Sequence, residues 1–342
     1  MRTIALGSTG ITTPQNAFGA LPIQRISEAD AGSLLRQAYD AGITFFDTAR
    51  SYTDSEQKMG AALADVREHI FIATKTQATT PEAFWKDLET SLSLLRTGYV
   101  DIYQFHNAAQ VYRPGDGTGM YECMQEAKAQ GKIRHIGITA HKIQVAEEAV
   151  ESGLYETLQY PFSYLSSERE LALVQRCKDR NMGFIAMKAL AGGLLKDSRA
   201  IMAFMQQYDV LPIWGIQRQR ELDEWLSYME NTPALDAEAQ QVISADRAEM
   251  AGDFCRSCGY CMPCPQGIAI FQLARMSLLL RRMPSAGWLG ERWQAEMAKV
   301  PSCTECRACQ ARCPYGLDIP RLLKENHADY QSVLAGETYV GV

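Results

Sequence analysis

The sequence predicts an α/β protein, a (β/α)8 barrel followed by a smaller, mainly helical domain that is rich in cysteine. Three observations lead to this prediction. Apolar segments alternate with amphipathic segments eight times in the first two-thirds of the 342-residue chain. No apolar segment is followed by the G-x-G-x-x-G motif of an open dinucleotide-binding sheet, which is the alternative fold. Eight of the ten cysteines lie close together near the C-terminus.

A short hairpin is expected before the barrel, because TIALGSTGITTP has Gly7 and Gly10 near a turn. The eight apolar segments then follow in order, each predicted to be a parallel barrel strand: 16–21, 44–49, 70–75, 100–107, 133–140, 157–163, 183–190 and 211–216. An amphipathic segment follows each of them. Eight strand–helix units are the number that closes a barrel of about 250 residues.

The pattern changes at Pro233, so we place a barrel domain at 1–233 and a helical domain at 234–342. Residues 234–250 are predicted to form one helix. Three amphipathic segments lie between and after the cysteines, at 271–283, 288–300 and 321–334. Their arrangement favours a compact helical module over a β-rich small ferredoxin.

The clustered cysteines form two runs with the spacing of cubane iron–sulfur ligands. The runs are Cys255, Cys258, Cys261 and Cys264, and then Cys303, Cys306, Cys309 and Cys313. Each run ends in Cys-Pro, which two zinc sites would not require. Disulfides would imply secretion, and MRTIALGSTG lacks the features of a signal peptide. We therefore expect two 4Fe-4S clusters.

The second run, C-x2-C-x2-C-x3-C-P, resembles bacterial ferredoxins, in which the fourth cysteine of each run ligates the other cluster. By that resemblance one cluster is held by Cys255, Cys258, Cys261 and Cys313, and the other by Cys303, Cys306, Cys309 and Cys264. The first run is one residue shorter before its last cysteine. Cys123 and Cys177 lie in predicted helices, and we expect them to be packed thiols.

Composition limits the kinds of partner. A formal net charge of −6 argues against nucleic acid as the main partner. No apolar run approaches the roughly 18 residues that a membrane span requires. We expect a cytoplasmic protein that binds neither nucleic acid nor a membrane.

Four polar residues follow three adjacent predicted strands, at the barrel end where active sites form. Asp47 ends the second strand with Tyr52 just beyond it, Lys75 ends the third, and His106 ends the fourth. Each alone has a structural explanation, such as a turn cap or a solvated strand end. Together they predict a catalytic site.

Several segments resemble the aldo-keto reductase family, over some 220 residues. The matching segments are GITFFDTARSYTDSE, FIATK, DIYQFHN, IGITAH, LQYPFSYL and AMKALAGGLL. The cysteine domain and GALPIQRIS resemble the bacterial branch that carries a C-terminal dicluster domain. The resemblance implies reduction of a carbonyl, or oxidation of an alcohol, with hydride from a nicotinamide.

The resemblance also implies a role for each polar residue. Tyr52 would donate the proton, and Lys75 would lower the tyrosine pKa from its usual value of about 10. Asp47 would hold Lys75, and His106 would orient the carbonyl or help to relay the proton.

By the same resemblance, Thr139 and Gln159 would hold the nicotinamide amide. Arg218 and Arg220 would bind the 2′-phosphate of NADP(H), or else form only a solvated basic loop. Lys188 faces the same rim, where it would contact substrate or cofactor phosphate, or cap the barrel.

Three functions are compatible with these features. In the first, the chain acts on a small carbonyl or alcohol, and its clusters exchange electrons with the substrate or with a ferredoxin or flavoprotein partner. In the second, it is an ordinary NADPH-dependent reductase with structural clusters. In the third, it is a non-catalytic electron-transfer or regulatory subunit.

Overall fold

The computed structural model describes residues 1–250 and 253–340, which divide into two compact units. The first unit contains residues 1–189 and 199–240. The second contains residues 190–198 together with the described residues from Gln241 onward. A segment that follows the seventh barrel strand in the chain is thus part of the second unit. The domain limits 1–233 and 234–342 stay a proposal.

Eight parallel strands close into a barrel in chain order, which confirms the predicted fold. A hairpin of β1 (Thr3–Ala5) and β2 (Thr12–Pro14) precedes them. The barrel strands are β3 Ala17–Gly19, β4 Phe45–Asp47, β5 Phe71–Thr76, β6 Val100–Phe105, β7 Ile133–Thr139, β8 Thr157–Pro161, β9 Gly183–Met187 and β10 Leu211–Gly215. β10 pairs with both β9 and β3, and this pairing excludes the open sheet.

Each barrel strand is followed by a helix in the chain. These helices are α1 Glu28–Asp40, α2 Ser55–Leu63, α3 Pro81–Leu95, α4 Met120–Ala129, α5 Ile143–Ser152, α6 Glu168–Asp179, α7 Ser198–Met205 and α8 Gln219–Glu230. Local sequence explains their starts. Ser27 caps α1 through the Asp30 amide, and Ser167 forms a capping box with Glu170 at α6.

The hairpin packs against the start of the barrel strands. Ile4 and Leu6 join Ala17, Phe45 and Leu211 in one buried apolar cluster. This apolar cluster fills the barrel at the end where the strands begin. The polar side chains that face into the barrel are expected at the opposite end, where the strands finish.

The second unit is helical, in agreement with the sequence, and its last helix contains the whole predicted segment 321–334, but the segments 271–283 and 288–300 are each broken into shorter helices. The helices of this unit are α9 Ala237–Glu249, α10 Ile270–Leu273, α11 Met276–Arg282, α12 Ser285–Trp288, α13 Glu291–Met297, α14 Ala308–Arg312 and α15 Ile319–Leu334. The segment 271–283 breaks at Arg275, whose φ of −142° is not helical. The segment 288–300 breaks at Gly290, which has an extended backbone. Within residues 1–250 and 253–340, no helix is long and apolar enough to cross a membrane.

Candidate active site and cluster site

A buried ion pair forms the centre of the polar end of the barrel. Lys75 Nζ donates to Asp47 Oδ1 at 2.6 Å and also to the Thr48 carbonyl. Strand register explains the contact, because Asp47 pairs with Ala73, two residues before Lys75 on the same face of β5. Burial raises the pKa of Asp47 and lowers the pKa of Lys75, and the charge of each residue opposes the shift of the other.

Tyr52 and His106 lie beside this pair. Lys75 Nζ is 5.3 Å from the centre of the Tyr52 ring, and the Tyr52 and His106 ring centres are 5.7 Å apart. Ser51 Oγ contacts His106 Nδ1 at 3.3 Å. Burial, and then the charges of Lys75 and Lys188, lower the pKa of His106 to about 3, so the imidazole is neutral at ordinary pH. The structure thus brings together the four residues singled out in the sequence.

A row of side-chain amides supports Asp47, and the sequence pattern did not reveal it. Gln104 Nε2 donates to Gln159 Oε1 at 2.9 Å, and Gln159 Nε2 lies 3.5 Å from Asp47 Oδ1. Gln104 is fully buried in β6 and pairs in register with Lys75. The only available signal was a lone amide in the apolar strand VDIYQF.

Thr139 also forms a hydrogen bond within the site. Its hydroxyl accepts a hydrogen bond from the backbone N–H of Asn107 at 2.6 Å. The side-chain Oδ1 of Asn107 lies 3.1 Å from Nδ1 of His141. Burial, and then the charges of Lys188 and His106, hold the pKa of His141 well below its usual value. The sequence did not identify His141 as part of this group.

The backbone is strained at three places where barrel strands end. Thr53, Asn107 and Lys188 have φ of 38°, 52° and 56°, and they follow β4, β6 and β9. Non-glycine residues rarely adopt this conformation, and for a β-branched threonine it is an outlier. Such strain costs about 1–3 kcal/mol per residue and occurs preferentially at functional sites.

Arg218 and Arg220 lie at the N-terminal end of α8, just beyond β10. Both are exposed, and Arg218 pairs loosely with Glu221 at 3.7 Å. Exposed guanidinium groups at a helix N-terminus fit a phosphate. Trp225, further along α8, is buried and stacks on Trp214 with ring centres 3.8 Å apart.

In the second unit, four cysteines line one cavity: Cys264, Cys303, Cys306 and Cys309. We call them the outer cysteine set, because Cys306 is exposed and the other three are half-buried. Arg312 Nη1 and Nη2 donate to the Met262 and Pro263 carbonyls at 3.1 and 3.0 Å. These bonds hold α14, which lies within the second run, against the end of the first run.

The other four cysteines, Cys255, Cys258, Cys261 and Cys313, form what we call the buried cysteine set. The name refers to Cys255 and Cys261, which are each 6% exposed, whereas Cys258 and Cys313 are half-buried. Burial raises the pKa of Cys255, and the nearby thiols of Cys258 and Cys313 raise it further. Burial also raises the pKa of Cys261 to about 12, with smaller contributions from Cys255, Cys258 and, outside the set, Cys309.

A cation–π contact links the same two runs. The Arg256 guanidinium lies 4.6 Å from the centre of the Tyr315 ring. Arg256 follows Cys255 and Tyr315 lies two residues after Cys313, so the start of the first run lies beside the end of the second. Within the described part of the chain, no three His, Cys, Asp or Glu side chains are placed to hold a single metal ion. Cys123 and Cys177 are buried in α4 and α6.

Comparison with known proteins agrees with this architecture. Residues 3–211 match the model of the aldo/keto reductase family, and residues 254–318 match a 4Fe-4S dicluster domain. L-galactose dehydrogenase of Arabidopsis thaliana is 29% identical over 212 residues, which cover 56% of this chain and 66% of that protein. The NADH-specific methylglyoxal reductase of Escherichia coli is 28% identical over 228 residues, covering 57% and 69% of the two chains.

Solved structures share the barrel. The holo form of the aldo-keto reductase AKR11C1 from Bacillus halodurans has a TM-score of 0.63 at 22% identity, covering 72% of this chain and 96% of its own. An aldo-keto reductase from Klebsiella pneumoniae in complex with NADPH has a TM-score of 0.62 at 20% identity, with the same coverage. At these identities the likeness concerns the fold. By its barrel and its matched sequence, the chain belongs to the aldo/keto reductase family, and it carries a two-cluster 4Fe-4S domain.

Proposed function

We propose that this protein is an oxidoreductase that reduces a small carbonyl compound, or oxidises the corresponding alcohol, at Asp47, Tyr52, Lys75 and His106. One observation carries the proposal. Lys75 Nζ is buried against Asp47 at 2.6 Å and lies 5.3 Å from the centre of the Tyr52 ring. A fixed cation at this distance favours the phenolate form of a tyrosine. Tyr52 is thereby suited to give up its proton.

Each residue then has a distinct task. The Tyr52 hydroxyl donates its proton to the carbonyl oxygen as charge develops there, and Lys75 stabilises the resulting phenolate. Asp47 keeps Lys75 charged in a site where burial alone would favour the neutral amine. Neutral His106 contacts Ser51 through Nδ1, and its other nitrogen hydrogen-bonds the substrate oxygen.

A bound nicotinamide nucleotide supplies the hydride for the carbonyl carbon. We assign the 2′-phosphate of NADP(H) to Arg218 and Arg220, whose exposure leaves their guanidinium groups accessible. We assign Thr139 and Gln159 to the binding of the amide group of the nicotinamide. The 3.5 Å contact between Gln159 Nε2 and Asp47 is long enough that the amide can also donate to a second acceptor.

We assign one 4Fe-4S cluster to the buried cysteine set and one to the outer set, and infer that both exchange electrons with a ferredoxin or flavoprotein partner, or with the substrate. Each bound cluster carries one electron at a time. The exposure of Cys306 supports electron exchange, because a purely structural cluster needs no exposed ligand. If the clusters rather than a nicotinamide reduced the substrate, two one-electron carriers would match in number the two electrons that carbonyl reduction needs, and no hydride would be transferred.

The first test measures NADPH and NADH binding to anaerobic, cluster-replete protein by calorimetry. We expect micromolar binding of NADPH, weakened at least tenfold in Arg218→Ala/Arg220→Ala with NADH binding little changed. If neither nucleotide binds, the nucleotide assignment is wrong, and the clusters become the electron source for chemistry at Tyr52.

The second test addresses the proton donor, with methylglyoxal as the first carbonyl probe because a relative is named for reducing it. We expect Tyr52→Phe to lower kcat/KM at least 100-fold without changing nucleotide binding. Tyr121→Phe is the matched control, since it removes a hydroxyl that bonds the Leu154 carbonyl in the same barrel. Undiminished turnover in Tyr52→Phe would contradict the proposed site. If the wild-type protein binds nucleotide but reduces no carbonyl in a wider panel, a non-catalytic role is favoured.

A further inference from the structure

We propose that Arg275 raises the reduction potential of the cluster in the buried cysteine set, by placing a positive charge and an N–H donor beside its ligands. This inference rests on the proposed assignment of Cys255, Cys258, Cys261 and Cys313 to one cluster. It identifies a residue outside the two cysteine runs that determines which of the two clusters an added electron reduces.

The geometry places Arg275 next to the first cysteine run. Arg275 lies between α10 and α11 and is 4% exposed. Cys255 Sγ lies 3.9 Å from the carbonyl of Phe271, four residues before Arg275. A Cβ built on Gly192 would be 2.9 Å from Arg275 Nη1 and 3.5 Å from the Cβ of Ser257. The guanidinium is thus close to the short segment between Cys255 and Cys258.

The hydrogen bonds of Arg275 leave its charge uncompensated. Nη1 and Nη2 donate to the carbonyls of Ala191 and Gly192 at 3.3 and 2.9 Å. Nε is buried and has no acceptor among the described residues. Burial lowers the pKa of Arg275, and the charge of a nearby Cys255 thiolate opposes that shift. Burying a cation this deeply is costly unless an anion lies near it.

A cluster held by four thiolates supplies that anion. It carries negative charge when oxidised and gains one further negative charge when it accepts an electron. A nearby cation therefore stabilises the reduced form more than the oxidised form. Donors to the cluster sulfurs act in the same direction, and net charge and hydrogen bonding are established determinants of cluster potential. Arg275 would thus favour residence of the electron on this cluster, and no proton transfer is needed.

Arg282 provides a matched control in the same unit. It is 8% exposed, and its Nε donates to the Leu194 carbonyl at 2.6 Å, so it also anchors the 190–198 segment. Unlike Arg275, it has carboxylate partners, Asp246 and Glu249. Replacing Arg282 therefore removes a buried guanidinium and an anchor of the segment without removing an uncompensated charge.

The experiment is an anaerobic redox titration with dithionite, followed by electron paramagnetic resonance. Wild-type protein is compared with Arg275→Gln, Arg275→Lys and Arg282→Gln. We expect two couples in the wild type. In Arg275→Gln, the ratio of reduced to oxidised protein in one couple should fall about tenfold at fixed potential, a shift of about 59 mV. The other couple should not move. Arg275→Lys should shift less, and Arg282→Gln should shift neither couple.

Two results would overturn the inference: both couples unmoved in Arg275→Gln, or an equal shift in Arg282→Gln. If no cluster signal appears in the wild type, the cluster assignment itself fails, which is a different outcome. If the Arg275 variants do not load clusters, pulsed resonance on reduced protein with 15N-arginine decides, in a background with Arg256→Lys, Arg307→Lys and Arg312→Lys, because these three arginines lie within the cysteine runs. Coupling of an arginine nitrogen to one cluster, but not to the other, is expected, and its absence rejects the proposal.

Discussion

Lys75 Nζ and Asp47 Oδ1 lie 2.6 Å apart, on side chains that are 1% and 3% exposed. Lys75 stands on β5 and reaches back to the last residue of β4. The pair thus joins two neighbouring strands at the end of the barrel where Tyr52 and His106 lie. Stability and the proposed chemistry are linked at this point, because neither charge can be removed without leaving the other buried alone.

Asp47→Asn should therefore lower the free energy of unfolding as well as activity. We expect a loss of about 3–5 kcal/mol, because Lys75 is left as an unpaired buried cation. Urea denaturation followed by circular dichroism measures this. Asp47→Asn/Lys75→Met removes both charges and should recover most of the stability but none of the activity. Glu151→Gln breaks the half-exposed pair with Arg180 and should change stability by less than about 0.5 kcal/mol. A loss in Asp47→Asn no larger than in Glu151→Gln would contradict the buried pair.

His106 should make the protein less stable in mild acid. Its folded pKa of about 3 lies below the unfolded value of 6.5, so between these pH values the unfolded chain binds a proton that the folded chain does not. The free energy of unfolding then falls as pH decreases through this window, by at most about 1.4 kcal/mol per pH unit, and is unaffected above it.

The measurement compares unfolding of wild type and His106→Gln between pH 7 and pH 5, where few carboxyl groups titrate. We expect a flatter dependence in His106→Gln. The control His69→Gln replaces an exposed histidine and should keep the wild-type slope. Equal slopes in all three proteins would show that His106 is not held neutral.

Paired cysteine replacements should separate crossed from uncrossed cluster ligation. Cys255→Ser/Cys313→Ser removes two ligands of one cluster if ligation is crossed, and about four of eight irons should remain. Cys255→Ser/Cys264→Ser removes one ligand from each cluster and should damage both. Iron analysis and Mössbauer spectra give the number of iron atoms bound per chain. The control Cys123→Ala should bind as much iron as the wild type. The reverse result for the two double variants would mean that each run holds its own cluster.

Gly192 should tolerate a side chain less well than its neighbour Gly193. Both have left-handed backbones, with φ of 70° and 91°, so alanine at either position costs about 1–2 kcal/mol. A Cβ at Gly192 would also lie 2.9 Å from Arg275 Nη1, whereas a Cβ at Gly193 has no neighbour within 4 Å. Thermal unfolding should place Gly192→Ala below Gly193→Ala. Equal effects would show that Arg275 is not tightly held against this segment.

Much of the fold could be predicted from the chain because its signals are local. Apolar strand segments and amphipathic helices differ in period within a few residues, and eight repeats leave few architectures open. Ligand spacing is equally local, so the two cysteine runs were recognisable from their intervals. Asp47, Lys75 and His106 could be singled out because each lies at the end of a predicted strand, and Tyr52 because it lies in the loop just beyond one.

The contacts between these candidate residues and residues far away in the sequence form only when the barrel closes and the helices pack. Gln104 and Gln159 are 55 residues apart, and strand register alone brings their amides to Asp47. Arg275 and Gly192 are 83 residues apart, so no interval in the sequence relates them. The chain by itself determined which residues are candidates for the chemistry, whereas tertiary structure decided which charges are buried and paired. The physical reason is that burial and electrostatic coupling depend on distances in space, which local periodicity does not contain.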